Sequence, residues 1–589
     1  MPDANPDVIA EFQNVSFTHF SQTEPALQDI SLKIKRGTLN VLVGPGGSGK
    51  STLCDLFNGK IPHLLEGTLT GDVWIDQVNT RQSQVKDLAR KVGYVFQDPE
   101  TMFATLYVED EIAFGPENLR IEAAAIRQTV QDLLEQTQLL PLRKNLVWNL
   151  SGGQVQKLGL AVVLAMDPEL VILDEPTANL DPVATQSVHE LVLALRQQGK
   201  AILLVARELD EFLASADQLL ILEKGRLLAS GPVQQVLQEH GEYMLNSLGI
   251  WLPETTEIGI ELEHSQRCKV GCVPITVGDM FTLLKEQGGL QEGLSGKSMR
   301  PAAQNNPEIL ITANHLSFTY GSENYALRDV SLEIRAGEML AIVGRNGAGK
   351  STLAKLLSGL LKPQQGDLTL FGKSAKKWKV QDLANSLALV FQNPEHQFLT
   401  DTVADEIGYS LLARGIADQQ ERDEIIHDQM ELFGLSSVAQ RHPFALSAGM
   451  KRRLGVATML VGDPKVLIVD EPTYGQDKQM TLTLMSVMED IRARGIAVVM
   501  ITHDMRLVQE YADRVVVMSN GEVLYDGDPA SLFIRKETMT AANLRPTTLH
   551  ELLWRIQTEG IDIQGEIRTT SDFLEALPAE FGATEAYGR

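Results

Sequence analysis

The chain has 589 residues, 43% of them hydrophobic and 22% charged, a globular balance too long for one core, so two or more domains are expected. A net charge of −25 argues against a binder of nucleic-acid backbones, which needs a basic face, and three cysteines (Cys54, Cys268, Cys272) give no disulfide framework and point to a reducing compartment. No apolar run approaches the ~18 residues that cross a bilayer, and Met1-Pro2-Asp3-Ala4-Asn5 lacks a basic-then-apolar leader pattern, so the chain is expected to be soluble by itself, with any membrane role resting on partner chains.

The first elements are alternating apolar runs, Val15-Ser16-Phe17 and Ile30-Ser31-Leu32-Lys33-Ile34, which read as strands. Val41-Leu42-Val43 then leads into Gly44-Pro45-Gly46-Gly47-Ser48-Gly49-Lys50-Ser51-Thr52, a G-x-x-x-x-G-K-[ST] phosphate loop in its strand–loop–helix context. Its glycines let backbone N–H groups turn toward phosphate oxygens at a helix start; Lys50 would reach the β/γ-phosphates of ATP and Ser51 would hold Mg²⁺. Gly93-Tyr94-Val95-Phe96-Gln97 reads as a strand ending in a glutamine, and helical periodicity runs from Ala123 to Leu140. Leu150-Ser151-Gly152-Gly153-Gln154 precedes a helix-like run. Leu170-Val171-Ile172-Leu173 is a buried-strand run closed by Asp174 and Glu175, and Ala201-Ile202-Leu203-Leu204-Val205 is another. Strands alternating with helices imply a parallel sheet with helices on its faces.

The second half repeats the first. A second phosphate loop, Gly344-Arg345-Asn346-Gly347-Ala348-Gly349-Lys350-Ser351-Thr352, stands 300 residues after the first, and the offset drifts to 293 at Pro253 and Pro546. That slow drift marks a duplicated domain, not a solenoid. The expected organisation is a first α/β phosphate-loop domain at 8–239 with an appendix at 240–290, a polar linker at 291–307, a second domain at 308–537 and its appendix at 538–589. The appendices share capping-box helix starts, Thr276-x-x-Asp279 and Thr569-x-x-Asp572. His264, Cys268 and Cys272 share a spacing of four and would line one face as metal ligands if that stretch were helical.

In each half the order is phosphate loop, glutamine after a strand, L-S-x-G segment, apolar run ending Asp-Glu, then a short loop ending in Asp. This order resembles the ATP-binding-cassette (ABC) ATPases, over nearly the whole chain. The resemblance implies that Asp174 and Asp470 hold Mg²⁺, that Glu175 and Glu471 are general bases orienting the attacking water, and that Gln97 and Gln392 sense the γ-phosphate and Mg²⁺. It implies that the two cassettes face each other head to tail. The signature residues of one half (Ser151, Gly152, Gly153, Gln154; Ser447, Gly449) then close the ATP site on the other's phosphate loop, with Asp181 and Asp477 crossing the interface. Tyr320 matches the adenine-stacking aromatic, and His503 the switch histidine.

The chain departs from that pattern at three places. The second signature reads Leu446-Ser447-Ala448-Gly449-Met450; Ala206-Arg207-Glu208 stands where Thr502-His503-Asp504 stands in the second half; and His19, followed by Phe20, stands at the place of Tyr320. All three weaken one composite site. The segments after the glutamines (Asp98-Pro99-Glu100 and Val108–Leu119; Asn393-Pro394-Glu395 and Val403–Gly408) look like those of energy-coupling factor (ECF) transporter ATPases, which import vitamins and transition-metal ions. That likeness implies integral membrane scaffold and substrate-binding partners, a peripheral place on the cytoplasmic face of the cell membrane, and Glu109 and Glu406 at the docking face. A sugar-importer double ATPase and a soluble twin-cassette translation or ribosome factor are the alternatives; the Gly115-Pro116-Glu117-Asn118 run and the appendices argue against the first, and the lack of a strongly basic linker or a Cys₄ set against the second. No nucleic-acid partner is expected.

Overall fold

The computed structural model describes residues 6–20, 22–178, 180–268, 270–291, 293–296, 307–321, 325–416, 418–462, 464–473, 476 and 478–578. The chain divides into two compact units that part between residues 291 and 292.

In the first unit a six-stranded sheet has the order Arg226–Pro232, Gln218–Glu223, Leu39–Val43, Ala201–Val205, Leu170–Asp174, Val92–Val95. All neighbours run parallel except the Arg226–Pro232 edge. The period-2 alternation of side chains splits each strand between two cores. Leu39, Val41, Val43, Val171, Leu173, Ile202 and Leu204 pack with the helices. Leu42, Leu170, Ile172, Leu203 and Val205 pack toward a four-stranded antiparallel sheet of Leu27–Lys35, Val8–His19, Gly67–Ile75 and Val78–Asn79. Both faces are covered, which is why these strands read as continuous apolar runs. The helices Val108–Asn118, Ala123–Gln136 and Gly152–Leu164 follow the glutamine strand and carry the signature.

The second unit repeats this plan: Leu387–Val390, Val466–Asp470, Ala497–Ile501, Met339–Val343, Arg514–Ser519 and Glu522–Gly527 form the six-stranded sheet, and Tyr325–Arg335, Ile309–Thr319, Gln365–Leu370 and Lys373–Ser374 the antiparallel one. The capping boxes form as expected: Thr276 and Asp279 cap Val277–Glu286, and Thr569 and Asp572 cap Thr570–Ala576. Leu294–Ser295, inside the 291–307 stretch, pairs in parallel with Ile563–Gln564. Among the described residues no helix is long and apolar enough to cross a membrane.

The structure places two sets of residues singled out in the sequence, and corrects the expectation for one of them, Glu406. The helix holding His264 ends there, Glu254–His264, so the spacing of four does not continue on one face. Nε2 of His264 lies 3.2 Å from Glu242, Cys268 is buried and Cys272 is exposed, and no metal-holding cluster of these residue types occurs among the described residues. Glu406, expected at a docking face, is 2% exposed: its Oε2 accepts from Leu399 N, Thr400 N and Thr400 Oγ1 at 2.9, 2.8 and 2.8 Å. Glu111, not Glu109, is its counterpart, accepting from Ala104 N and from Thr105 N and Oγ1. Each is a buried carboxylate pinning the loop between the glutamine and the next helix. Glu109 pairs with Arg143.

Candidate ATP sites

Both phosphate loops leave the C-terminal edge of a central strand, where open α/β sheets bind ligands, and enter a helix, Lys50–Phe57 or Lys350–Leu357. Gly44 and Gly344 are glycines by necessity: an added Cβ would lie 2.1 Å from the Leu222 carbonyl oxygen and 2.2 Å from that of Met518. Each loop is therefore locked to the neighbouring strand. Lys50 Nζ donates to Gly44 O and Pro45 O at 2.7 and 2.9 Å, and Lys350 Nζ to Gly344 O and Arg345 O at 2.6 and 3.0 Å. Burial lowers the pKa of Lys50.

In the first unit a cleft of about 1210 Å³ is lined by Gly46, Gly47, Gly49, Lys50, Ser51, Thr52, Gln97, Asp174, Glu175, Arg207 and His19, among others. The sheet order brings these together, since Gln97, Asp174–Glu175 and Arg207 each follow a strand at the same edge. Asp174 is 7% exposed and Glu175 8%. Burial, with Glu175 next in weight, raises the pKa of Asp174, whose Oδ2 accepts from Tyr94 Oη at 3.0 Å. Tyr94, on the adjacent strand, is a residue the sequence reading did not assign; its place one residue before the strand's end is the signal that was there. Glu175 has both carboxylate oxygens engaged: Oε1 by Arg207 Nε at 2.5 Å and Oε2 by Gln97 Nε2 at 2.8 Å. His19 Nε2 stands 3.4 Å from Thr52 Oγ1, and Phe20 is 82% exposed.

The second unit differs in its bonds. Ser351 Oγ donates to Asp470 Oδ2 at 2.9 Å, in place of the tyrosine, because Leu389 occupies the position of Tyr94. Burial raises the pKa of Asp470. His503 Nδ1 is 2.9 Å from Glu471 Oε1, and among the described residues Glu471 Oε2 makes no hydrogen bond. Gln392 is exposed and does not reach Glu471. Tyr320 Oη is 3.4 Å from Thr352 Oγ1, and its ring, 65% exposed, stands edge-on to Phe318. Glu175 and Glu471 both hold φ near +50°, at 50° and 52°, an uncommon backbone state for a non-glycine residue and one that clusters at functional sites.

The Ser151–Gln154 signature is not among the residues lining the first-unit cleft. Ser151 caps Gly152–Leu164 in a reciprocal box, with Ser151 N donating to Gln154 Oε1 at 2.9 Å. In the second unit Ser447 accepts from Met450 N at 3.4 Å, and the thioether returns no bond. A Cβ at Gly152 would meet nothing within 4 Å, so packing within the unit does not demand glycine there, while an approaching phosphate does. Gly153 and Gly449 sit against Ala184 and Met480. Asp181 caps the helix Pro182–Gln197 through Ala184 N; Asp477 lies outside the described residues, as does Asn179. Loop amides, an ammonium, a carboxylate with a hydroxyl or phenol, and a second acid fit a nucleoside triphosphate with its Mg²⁺.

Comparisons with known proteins give the family. The model of the ABC transporter family matches residues 27–178 and 327–474. A Bacillus subtilis protein named "Putative HMP/thiamine import ATP-binding protein YkoD" is 38% identical over 90% of this chain and 93% of its own length. A Methanosarcina mazei "Putative ABC transporter ATP-binding protein" is 35% identical over 97% of this chain and 98% of its own. Among solved structures, CbiO1 of Clostridium perfringens, part of the ABC transporter complex CbiONQ, is 30% identical over 42% of this chain and 99% of its own, with a TM-score of 0.37. With two phosphate-loop cassettes, their paired acids and their signatures in one polypeptide, this chain belongs to the ABC transporter family, as a tandem ATP-binding-cassette ATPase.

Proposed function

We propose that the chain energises import of a vitamin, vitamin precursor or metal ion by an ECF-type ABC transporter. It would do so from the cytoplasmic face of the cell membrane, with integral scaffold and substrate-binding subunits as partners. The segments after Gln97 and Gln392 and the import activity in the Bacillus relative's name support this reading. Exposed apolar side chains flank those segments, Leu106 at 55% and Trp148 at 60% in the first unit, Leu399 at 69% and Phe444 at 48% in the second. Purification from solubilised membranes should bring down one or two small hydrophobic proteins, and co-purification with ribosomes instead would refute the transporter reading.

The two halves pair head to tail in this proposal, and only one composite site turns over. The observation that carries the asymmetry is the state of the two bases. Among the described residues Glu471 keeps one carboxylate oxygen open beside His503, whereas Glu175 has both oxygens taken, one by a permanent cation. A general base must reach the water it orients. Glu471 can, with His503 holding its other oxygen; Glu175 cannot until Arg207 lets go. The bound metal would spread charge over the phosphates, held by Ser351 and Asp470 in one half and Ser51 and Asp174 in the other. The site on the second half's loop is closed by the intact Ser151–Gln154 signature. The site on the first half's loop is closed by the signature altered at Ala448 and Met450, and it retains nucleotide.

A further inference from the structure

In each unit the C-terminal appendix is fastened to the segment directly behind the switch residue. In the second unit His503 is followed by Asp504, which caps the short helix Met505–Tyr511 by accepting from Arg506 N and Leu507 N. Gln509 on that helix is 2% exposed. Its Oε1 accepts from Thr547 Oγ1 at 3.0 Å, and its Nε2 has no hydrogen-bond partner among the described residues. The same Thr547 hydroxyl caps the appendix helix Thr548–Thr558, accepting the backbone N–H of His550 at 3.3 Å. The His550 ring stacks on Phe533 at 3.9 Å. One buried hydroxyl thus joins the appendix to the helix that begins two residues after His503. In the first unit Glu208 takes the place of Asp504, only a single 3-10 turn, Leu213–Ser215, follows where the α-helix stands in the second unit, and Glu208 instead forms a parallel β-bridge with Trp251 of the appendix. Two different bonds, one helical and one bridged, attach the two appendices at the same place.

We infer that Thr547 is a positioning residue for ATP hydrolysis: through Gln509 it fixes the switch helix and so the reach of His503 to Glu471. This rests on the reading that the His503 site turns over. Catalysis by phosphate-loop ATPases is mostly placement, so a small shift of the histidine acts on turnover and not on nucleotide capture, which the phosphate loop performs.

The test uses the full chain. Thr547→Val keeps shape and removes the hydroxyl; Thr547→Ser keeps the hydroxyl. Thr547→Val is expected to lower kcat by roughly tenfold with KM for ATP within about twofold, and the serine variant to restore it. Gln509→Met should give the same loss of kcat, and the double variant no further loss of kcat, because both break the Thr547–Gln509 bond, while the cap on His550 N is lost with Thr547 alone. Unchanged kcat in Thr547→Val, a parallel loss of ATP binding, or failure of serine to rescue would each overturn the inference; should Thr547→Val not fold, Gln509→Met is read by the same criteria. Glu471→Gln is assayed alongside: if it keeps full turnover, the asymmetric reading fails, a result separate from the Thr547 comparison.

Discussion

Placing the first half's switch residue in the second half, His503→Arg, should reproduce the closed state of Glu175 at Glu471. The parent geometry has one contact to the base, Nδ1 to Oε1 at 2.9 Å, and an open Oε2. In the first half the guanidinium sits 2.5 Å from the matching oxygen, on a carboxylate that is 8% exposed. A unit charge pair with its charge centres about 4 Å apart is worth about 4 kcal/mol at an effective dielectric near 20, before desolvation. Arg207 is one-third exposed, so the net hold is about 1–3 kcal/mol, enough to keep the base paired most of the time. A hold of that size withholds the base by about 5- to 150-fold, so turnover should fall by roughly tenfold or more, up to the ~10²–10⁴ that complete loss of a positioned base costs. ATP affinity, set by Lys350 and the loop amides, should change by no more than about threefold. Steady-state ATPase with equilibrium binding of a fluorescent ATP analogue measures both. Turnover within about threefold of the parent would refute the idea that a guanidinium at this place silences the acid.

Two further outcomes follow from buried groups outside the sites. Glu406→Ala or Glu111→Ala removes the acceptor of three hydrogen bonds in each pinned loop and should cost about 2–4 kcal/mol, lowering the melting temperature by roughly 2–4 °C per kcal/mol in calorimetry; an unchanged transition would contradict the pinning. Burial pushes the His550 imidazole down to about 3, below its unfolded value of ~6.5. Its neutral form therefore supports the fold fully above pH ~6.5, and stability is lost toward pH 3 at up to about 1.4 kcal/mol per unit. Urea titrations should show a shallower acid loss in His550→Gln than in the parent; parallel curves would contradict it.

Much of the site was legible because its motifs are contiguous. Eight residues from Gly44 to Ser51 encode a turn whose glycine at position 44 is enforced by the Leu222 carbonyl, and the runs ending Asp174–Glu175 and Asp470–Glu471 are strands buried on both faces. Arg207 and the weakening of one composite site were legible as departures from the pattern; the contact of Arg207 with Glu175 follows from strand order. What remained hidden depends on tertiary neighbours. Tyr94 reaches Asp174 across 80 residues of sequence because their strands are adjacent. Glu406 reads as one acid in a charged helix start, and only folding shows that it turns inward while Glu109 turns to Arg143. The His264, Cys268 and Cys272 spacing would need a continuous helix to share one face, and the helix ends at His264. The hold of Thr547 on Gln509 spans 38 residues and leaves no local pattern.

The most direct measurement of the central claim, one working site and one silent one, is steady-state ATPase of Glu471→Gln and Glu175→Gln in the full chain, with bound nucleotide counted after isolation. Loss of its only free base should make Glu471→Gln lose nearly all turnover, while Glu175→Gln, whose acid is already paired with Arg207 and Gln97, keeps most of it and still retains nucleotide at the first half's loop. Equal losses from the two substitutions would contradict the claim.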